Sequence, residues 1–284
     1  MQIELTDVDL PDDRAAVARQ LDAHNEHVLG KSAEPIALAV LLRDADGGVE
    51  GGMWGRLRFG WLYLEFAVIP THRRGTGLGT TMLAAIERAT VARGGRGVRT
   101  GSFSFQAPGF YIRRGYTEYA RLEGHPPGHH DVSFYKVSGL GDGDAGLEVE
   151  QDPNPSHRTT LRSLLAGHNA EQAGPVDFRH LAVLLRGADG SAMGGLLGYT
   201  GRGWMHVELF ALPPAARGSG LGTRVMEMAH DEARARDALG AKLATASYQA
   251  RPFYERLGYT IYGTIPDYQP GGHARFLMAR RLDR

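Results

Sequence analysis

The sequence has no cysteine. Disulfides, thiolate metal sites and acyl transfer through a cysteine sulfur are therefore excluded. Excess charge is missing too: Lys+Arg 32 against Asp+Glu 32 gives a formal net charge of +0. No global field recruits nucleic acid or an anionic membrane, so any anion site has to be local. The N-terminus MQIELTDVDLPDD lacks a basic start and apolar run, and nothing approaches the roughly 18 to 20 apolar residues of a membrane span. The expectation is a cytoplasmic protein with no nucleic-acid and no membrane partner.

What the 284 residues do have is a repeat. LAVLLR at Leu38–Arg43 recurs at Leu181–Arg186, and the same spacing of 143 carries Trp61 onto Trp204, Glu65 onto Glu208 and Gly79 onto Gly222. It also carries Gln106, Phe110, Tyr111 and Gly115 onto Gln249, Phe253, Tyr254 and Gly258. The pair His24-Asn25 falls on His168-Asn169 with a spacing of 144, so one residue is missing from the second copy between this pair and the LAVLLR strand. A period this long means two whole domains. The Gly- and Asp-rich GLGDGDAG, 139–146, reads as a linker between a domain at 1–138 and a domain at 147–284.

Within the first copy, a strand at Gln2–Thr6 and a helix entered through DLPDD are followed by strands near Ile36–Arg43, Val49–Arg58 and Trp61–Ile69. Leu78, Met82, Leu83, Ile86 and Ala89 then recur at helical spacing, as do Leu221, Val225, Met226 and Ala229 in the second copy. Hairpin-linked strands early and crossover connections late imply an α/β class with a mixed sheet.

Each third long strand runs into a glycine-rich turn, RRGTGLG at Arg73–Gly79 and ARGSGLG at Ala216–Gly222. Strand, Arg-x-x-Gly-x-Gly, amphipathic helix is an anion cradle: glycines let the backbone approach a ligand and the helix start presents free amides. The Walker A ending Gly-Lys-Ser/Thr is absent, because Gly79 precedes Thr80-Thr81 and Gly222 precedes Thr223-Arg224. The Rossmann spacing is absent as well. The histidine-rich HPPGHH, His125–His130, is matched only by YQPGGH and has no carboxylate spaced to join it, so no metal is expected.

The turns Arg74-Gly75-Thr76-Gly77-Leu78-Gly79 and Arg217-Gly218-Ser219-Gly220-Leu221-Gly222 resemble the acetyl-CoA loop of the GCN5-related N-acetyltransferase (GNAT) superfamily. FYIRRGY and FYERLGY are similar to that family's second signature. The resemblance spans nearly the whole chain outside the linker and implies two tandem GNAT folds with acetyl-CoA as cofactor. It implies that the glycine turns, with Arg73, hold the diphosphate, and that backbone near Ala67 and Val68, or Phe210, Ala211 and Leu212, holds the thioester. It assigns Tyr111 and Tyr254 as donors of a proton to the departing thiolate, a role a phenol can fill because its ordinary pKa exceeds that of a thiol, the alternative being an aromatic core residue beside Phe110 or Phe253.

Glu65 and Glu208 lie where several family members carry a carboxylate base, acting directly or through water, the alternatives being a carboxylate on the solvent face or one paired with a nearby arginine. His24, Asn25, Trp61, His168, Asn169 and Trp204 are candidates for the acceptor pocket, with helix capping and core packing as the alternatives. The expectation is acetyl transfer to a primary amine of a small molecule by direct attack on the thioester. Acetylation of a protein N-terminus or lysine, and a regulatory module binding CoA without turnover, are the rivals. The chain is expected as a monomer with pseudo-dimeric halves or as a homodimer.

Overall fold

The computed structural model describes residues 2–30, 34–137, 139–141 and 147–283. In chain order the first copy gives β1 (Gln2–Thr6), α1 (Pro11–Leu29), β2 (Ile36–Arg43), β3 (Val49–Arg58), β4 (Trp61–Val68), α2 (Leu78–Ala92), β5 (Gly97–Phe103), α3 (Pro108–Ile112), β6 (Thr117–Glu123) and β7 (His130–Lys136). The second gives β8 (Glu150–Gln151), α4 (Pro155–Ala173), β9 (Arg179–Arg186), β10 (Ala192–Gly201), β11 (Trp204–Ala211), α5 (Leu221–Ala235), β12 (Gly240–Ala246), α6 (Arg251–Arg256), β13 (Thr260–Gln269) and β14 (His273–Arg281). Among the described residues, no helix is long and apolar enough to cross a membrane.

The chain folds as two compact units. One, the C-unit, comprises Met1–Ser32, Glu123–Gly128 and Val176–Arg284; the other, the N-unit, comprises Ala33–Leu122 and His129–Pro175. This corrects the division expected at 139–146: the first strand and helix of each copy belong to the unit built around the other copy. Of the expected linker, residues 142–146 lie outside the described residues.

The physical reason lies in the duplication itself. Each copy offers the same complementary surface, so a repeat in the sequence identifies what a segment is without identifying which copy it packs on.

Strand order in the C-unit is β1-β9-β10-β11-β12-β14-β13, and in the N-unit β8-β2-β3-β4-β5-β7-β6. The pairs β11/β12 and β4/β5 are parallel, whereas β9/β10, β10/β11, β12/β14, β2/β3, β3/β4 and β5/β7 are antiparallel. The repeated strand is apolar from Leu38 to Leu42 and from Leu181 to Leu185 because both of its faces are covered. In β9, Leu181, Val183 and Leu185 pack with Val225, Met226 and Ala229 of α5, while Ala182 and Leu184 pack with Val17 of α1. In β2, Leu38, Val40 and Leu42 pack with Met82, Leu83 and Ile86 of α2, and Ala39 packs with Leu161 of α4.

Val17 and Leu161 are each 0% exposed, and burying one such side chain is worth about 1.5–3 kcal/mol. Polar contacts fix the same helices. Arg186 joins Glu4 at 2.5 Å and Asp13 at 2.5 Å, tying β9 to both β1 and α1.

Candidate active sites

The glycine turn is set by backbone conformation. Gly75 and Gly77 have φ of 79° and 86°, Gly218 and Gly220 have φ of 73° and 84°, and Gly77 and Gly220 cap α2 and α5. A side chain disfavours this left-handed region. Side chains brace the loop from beneath. Arg74 Nε donates to the Ile69 carbonyl at 3.0 Å, Arg217 Nε to Leu212 at 3.0 Å, and the Thr76 and Ser219 hydroxyls to Arg73 and Ala216 carbonyls at 2.9 Å. The amides of Leu78 and Gly79, and of Leu221 and Gly222, precede the first bonds of their helices, Thr80 N–H to the Gly77 carbonyl at 2.9 Å and Arg224 N–H to the Gly220 carbonyl at 3.1 Å, which makes this end of each cavity a site for an anion.

A second feature adjoins the loop. The parallel pairing of β4 with β5 runs from Trp61–Gly97 to Leu64–Thr100, and that of β11 with β12 from Trp204–Gly240 to His206–Lys242. Beyond those points the strands part. At the parting sits a bulge: the register skips Glu65 between the Trp54–Phe66 and Gly55–Leu64 pairs, and skips Glu208 between Leu197–Leu209 and Gly198–Val207. The bulge needs glycine opposite it, because a Cβ on Gly55 or Gly198 would come within 2.8 or 2.0 Å of a facing carbonyl oxygen.

Cavities of about 790 Å³ in the N-unit and 580 Å³ in the C-unit occupy these partings. The first is lined by Glu65, Ala67 and Val68 of β4, by Arg73, Arg74, Gly75, Gly77, Leu78 and Gly79 of the turn, and by Tyr111. The second is lined by Glu208, Phe210, Ala211, Leu212, Arg217, Gly218, Gly220, Gly222 and Tyr254. Loop and parting together fit a long ligand with an anionic end. Thr76 and Ser219 brace the turn, and Leu221 packs against the core.

Tyr111 and Tyr254 are buried, 6% and 7% exposed, at the inner wall. Burial pushes both phenols above their ordinary range, and for Tyr111 a hydrogen bond with Thr100 offsets part of the rise. Thr100 also donates to the Leu64 carbonyl at 3.1 Å, at the last paired residue of β4. The C-unit has Leu243 at the corresponding place, and no such bond acts on Tyr254.

Both glutamates are paired with arginine. In the N-unit Glu65, its side chain 5% exposed, is held by Arg56 through one oxygen and by Arg158 of α4 through the other, the latter at 2.8 Å. In the C-unit Glu208, 41% exposed, meets Arg14 of α1 at 3.0 Å. The sequence reading missed Arg14 and Arg158; their common spacing of 144, shared with the His-Asn pair, was the available signal.

α1 and α4 also bring His24 and His168 to the cavity walls, with Gln20 and Leu21, or Leu165 and Gln172, beside them. Asn25 and Asn169 instead dock the helices: Gln249 Nε2 donates to Asn25 Oδ1 at 2.9 Å and Gln106 Nε2 to Asn169 Oδ1 at 2.7 Å. The tryptophans are corrected from the acceptor pocket to the core. Trp61 and Trp204 are 3% and 1% exposed, line neither cavity, and fill space left by Gly97 and Gly240, where a Cβ would meet the indole at 2.5 and 2.4 Å. His125 lies 3.2 Å from His206, and among the described residues no group of three or more His, Cys, Asp or Glu could hold a metal ion.

Residues 149–259 match the acetyltransferase (GNAT) family. The chain is 37% identical over 120 residues to an acetyltransferase from Agrobacterium fabrum, covering 42% of this chain and 88% of the relative. It is 43% identical over 95 residues to the blasticidin-S acetyltransferase of Streptomyces morookaense, covering 32% and 68%. A solved acetyltransferase from Bacillus cereus is 29% identical, with a TM-score of 0.42 and coverage of 45% of this chain and 94% of that one. With a cavity of this form in each unit and a relative matched over most of its length, the chain belongs to the GNAT acetyltransferase family and uses acetyl-CoA.

Proposed function

We propose that each unit transfers an acetyl group from acetyl-CoA to a primary amine of a small molecule. The observation that carries this reading is the convergence, in both units, of a glycine cradle, parted strands and a buried tyrosine on one cavity. The match to a relative named for blasticidin-S favours a small acceptor.

The cofactor supplies an activated acyl group as a thioester. The amides of Gly75 to Gly79, or Gly218 to Gly222, with Arg74 or Arg217, hold the diphosphate. Ala67 and Val68, or Phe210 and Ala211, line the parting, and a backbone N–H from this stretch would polarise the thioester carbonyl. Tyr111 or Tyr254 gives its phenolic proton to the departing sulfur, and burial keeps that proton in place beforehand.

His24 or His168 lines the acceptor side. Proton removal from the amine differs between the units. Glu208 has one guanidinium partner and an accessible side chain, which leaves it able to take a proton directly or through water, whereas both oxygens of Glu65 are engaged. Glu65 therefore positions the bulge and α4, and in the N-unit the amine gives up its proton to water.

The test is release of CoA thiol from acetyl-CoA against a panel of small amines that includes blasticidin S. Turnover that falls in Tyr111→Phe and Tyr254→Phe and vanishes in the double variant is expected. Cofactor binding without turnover on any amine, or turnover indifferent to both changes, would overturn the reading.

A further inference from the structure

The rim of the N-unit cavity carries Arg73, Arg74, Arg113 and Arg114, where the C-unit cavity carries Arg217 and Arg256. Arg74 and Arg217 belong to the glycine turn. Arg73 is matched to Glu50 at 2.7 Å. Arg113 and Arg114, just after α3, remain as adjacent like charges with no carboxylate partner among the described residues.

Arg114 is held in place. Its Nη1 donates to the Phe110 carbonyl at 3.0 Å, its Nε to Thr80 Oγ1 in the first turn of α2 at 3.1 Å, and its guanidinium lies 3.9 Å from the centre of the Phe110 ring. The Arg113 guanidinium rests against Gly109, 3.1 Å from where a Cβ would stand. Burial lowers the Arg114 pKa, and the charge of Arg113 lowers it further. Two guanidiniums fixed side by side at a cavity mouth repel each other, and an anion between them removes that cost.

The C-unit has a different rim. Leu257 stands where Arg114 does, and Arg256 follows Glu255, which pairs with Arg251 at 2.8 Å. Arg224 of α5 is exposed and does not line the cavity.

Coenzyme A carries a 3′-phosphate monoester as well as its diphosphate. A glycine turn occupied by the diphosphate, the reading on which this inference rests, leaves the monoester needing a partner of its own. We propose that Arg113 and Arg114 form an anion subsite for the 3′-phosphate of coenzyme A at the mouth of the N-unit cavity, and that the C-unit lacks it. The two sites then differ in cofactor selectivity: one demands the 3′-phosphate and the other tolerates its loss.

Calorimetric titration of the full chain with CoA and with dephospho-CoA tests this. Loss of the 3′-phosphate weakens one site about 10- to 100-fold, the range for a charge-assisted contact, and leaves the other within about threefold. Arg114→Leu, which installs the C-unit residue, and the milder Arg113→Gln each shrink that difference without weakening dephospho-CoA, and Arg114→Lys retains most of it. Thermal unfolding at the wild-type temperature shows that each variant folds.

Sites that both ignore the 3′-phosphate, sites that lose equally, or discrimination that survives in the Arg113→Gln/Arg114→Leu double variant would overturn the proposal. Failure of both units to bind either nucleotide would overturn the cofactor-site reading together with it.

Discussion

Arg14 and Glu208 lie 194 residues apart in the chain and meet at 3.0 Å. The same contact joins Arg158 to Glu65, and the two pairs differ in burial: the Glu65 side chain is 5% exposed and that of Glu208 is 41%. Exposed ion pairs contribute about 0–1 kcal/mol, whereas stripping a partner from a buried carboxylate costs about 3 kcal/mol or more. With Arg56 still in place, Arg158→Ala is expected to cost about 2 kcal/mol and Arg14→Ala less than about 1 kcal/mol in urea denaturation. A larger loss for Arg14→Ala would contradict this ranking.

Thr100 distinguishes the two tyrosines. When Tyr111 releases its proton, the Thr100 hydroxyl can turn toward the phenolate, and the hydrogen bond already acts in that direction. Thr100→Val, measured in a Tyr254→Phe background so that only the N-unit turns over, should lower kcat about tenfold and leave KM for acetyl-CoA nearly unchanged. An unchanged kcat would remove Thr100 from the proton path.

The glycine turn separates strain from contact. At Gly77 and Gly220 a Cβ would meet no atom within 4 Å, yet φ is 86° and 84°. Gly77→Ala and Gly220→Ala should each cost about 1–2 kcal/mol of stability from the left-handed backbone alone. Each should also weaken CoA at its own unit, and a calorimetric trace in which one site persists at wild-type affinity is the expected signature.

His230 makes the C-unit sensitive to acid. It is 1% exposed, lies 2.8 Å from the Tyr259 hydroxyl, and is held down to about 4 by burial first and then by the charges of Arg280 and Arg234, with Asp231 acting the other way. Its folded value lies below the ordinary 6.5, so between those pH values the unfolded chain binds a proton that the native chain refuses. Stability is thus complete above about pH 6.5 and falls toward pH 4 by at most about 3 kcal/mol. His230→Gln, which keeps a partner for Tyr259 and does not titrate, should flatten that slope in denaturation series at pH 7 and pH 4.5.

Much of this molecule is readable in one dimension because the chain states itself twice. The spacing of 143 located β2 to β4, both glycine turns and both tyrosines without reference to coordinates. What it could not show is which partner each repeated group meets. Arg14 is chemically as well suited to Glu65 as to Glu208, and Asn25 to Gln106 as to Gln249, so the exchange of α1 and α4 leaves no trace in residue type. The carboxylate's role was hidden for the same reason, because its partner sits on a helix assigned to the other copy. The tryptophans had a legible clue in Gly97 and Gly240, whose lack of a side chain makes room for the indoles.

The exchange of α1 and α4 also dictates an order of events during synthesis. α1 leaves the ribosome first, yet the strands it packs on, β10 and β11, end at Ala211, so it must wait through most of translation. The N-unit needs residues up to Ala173 at the end of α4 before it can close, although its sheet begins at Ile36. Contacts this remote are slow to form. Cutting the chain at 139–146 should therefore yield two fragments that fold only when mixed, and a nascent chain paused at that point would have a sheet that lacks its edge strand β8 and the cover of α4.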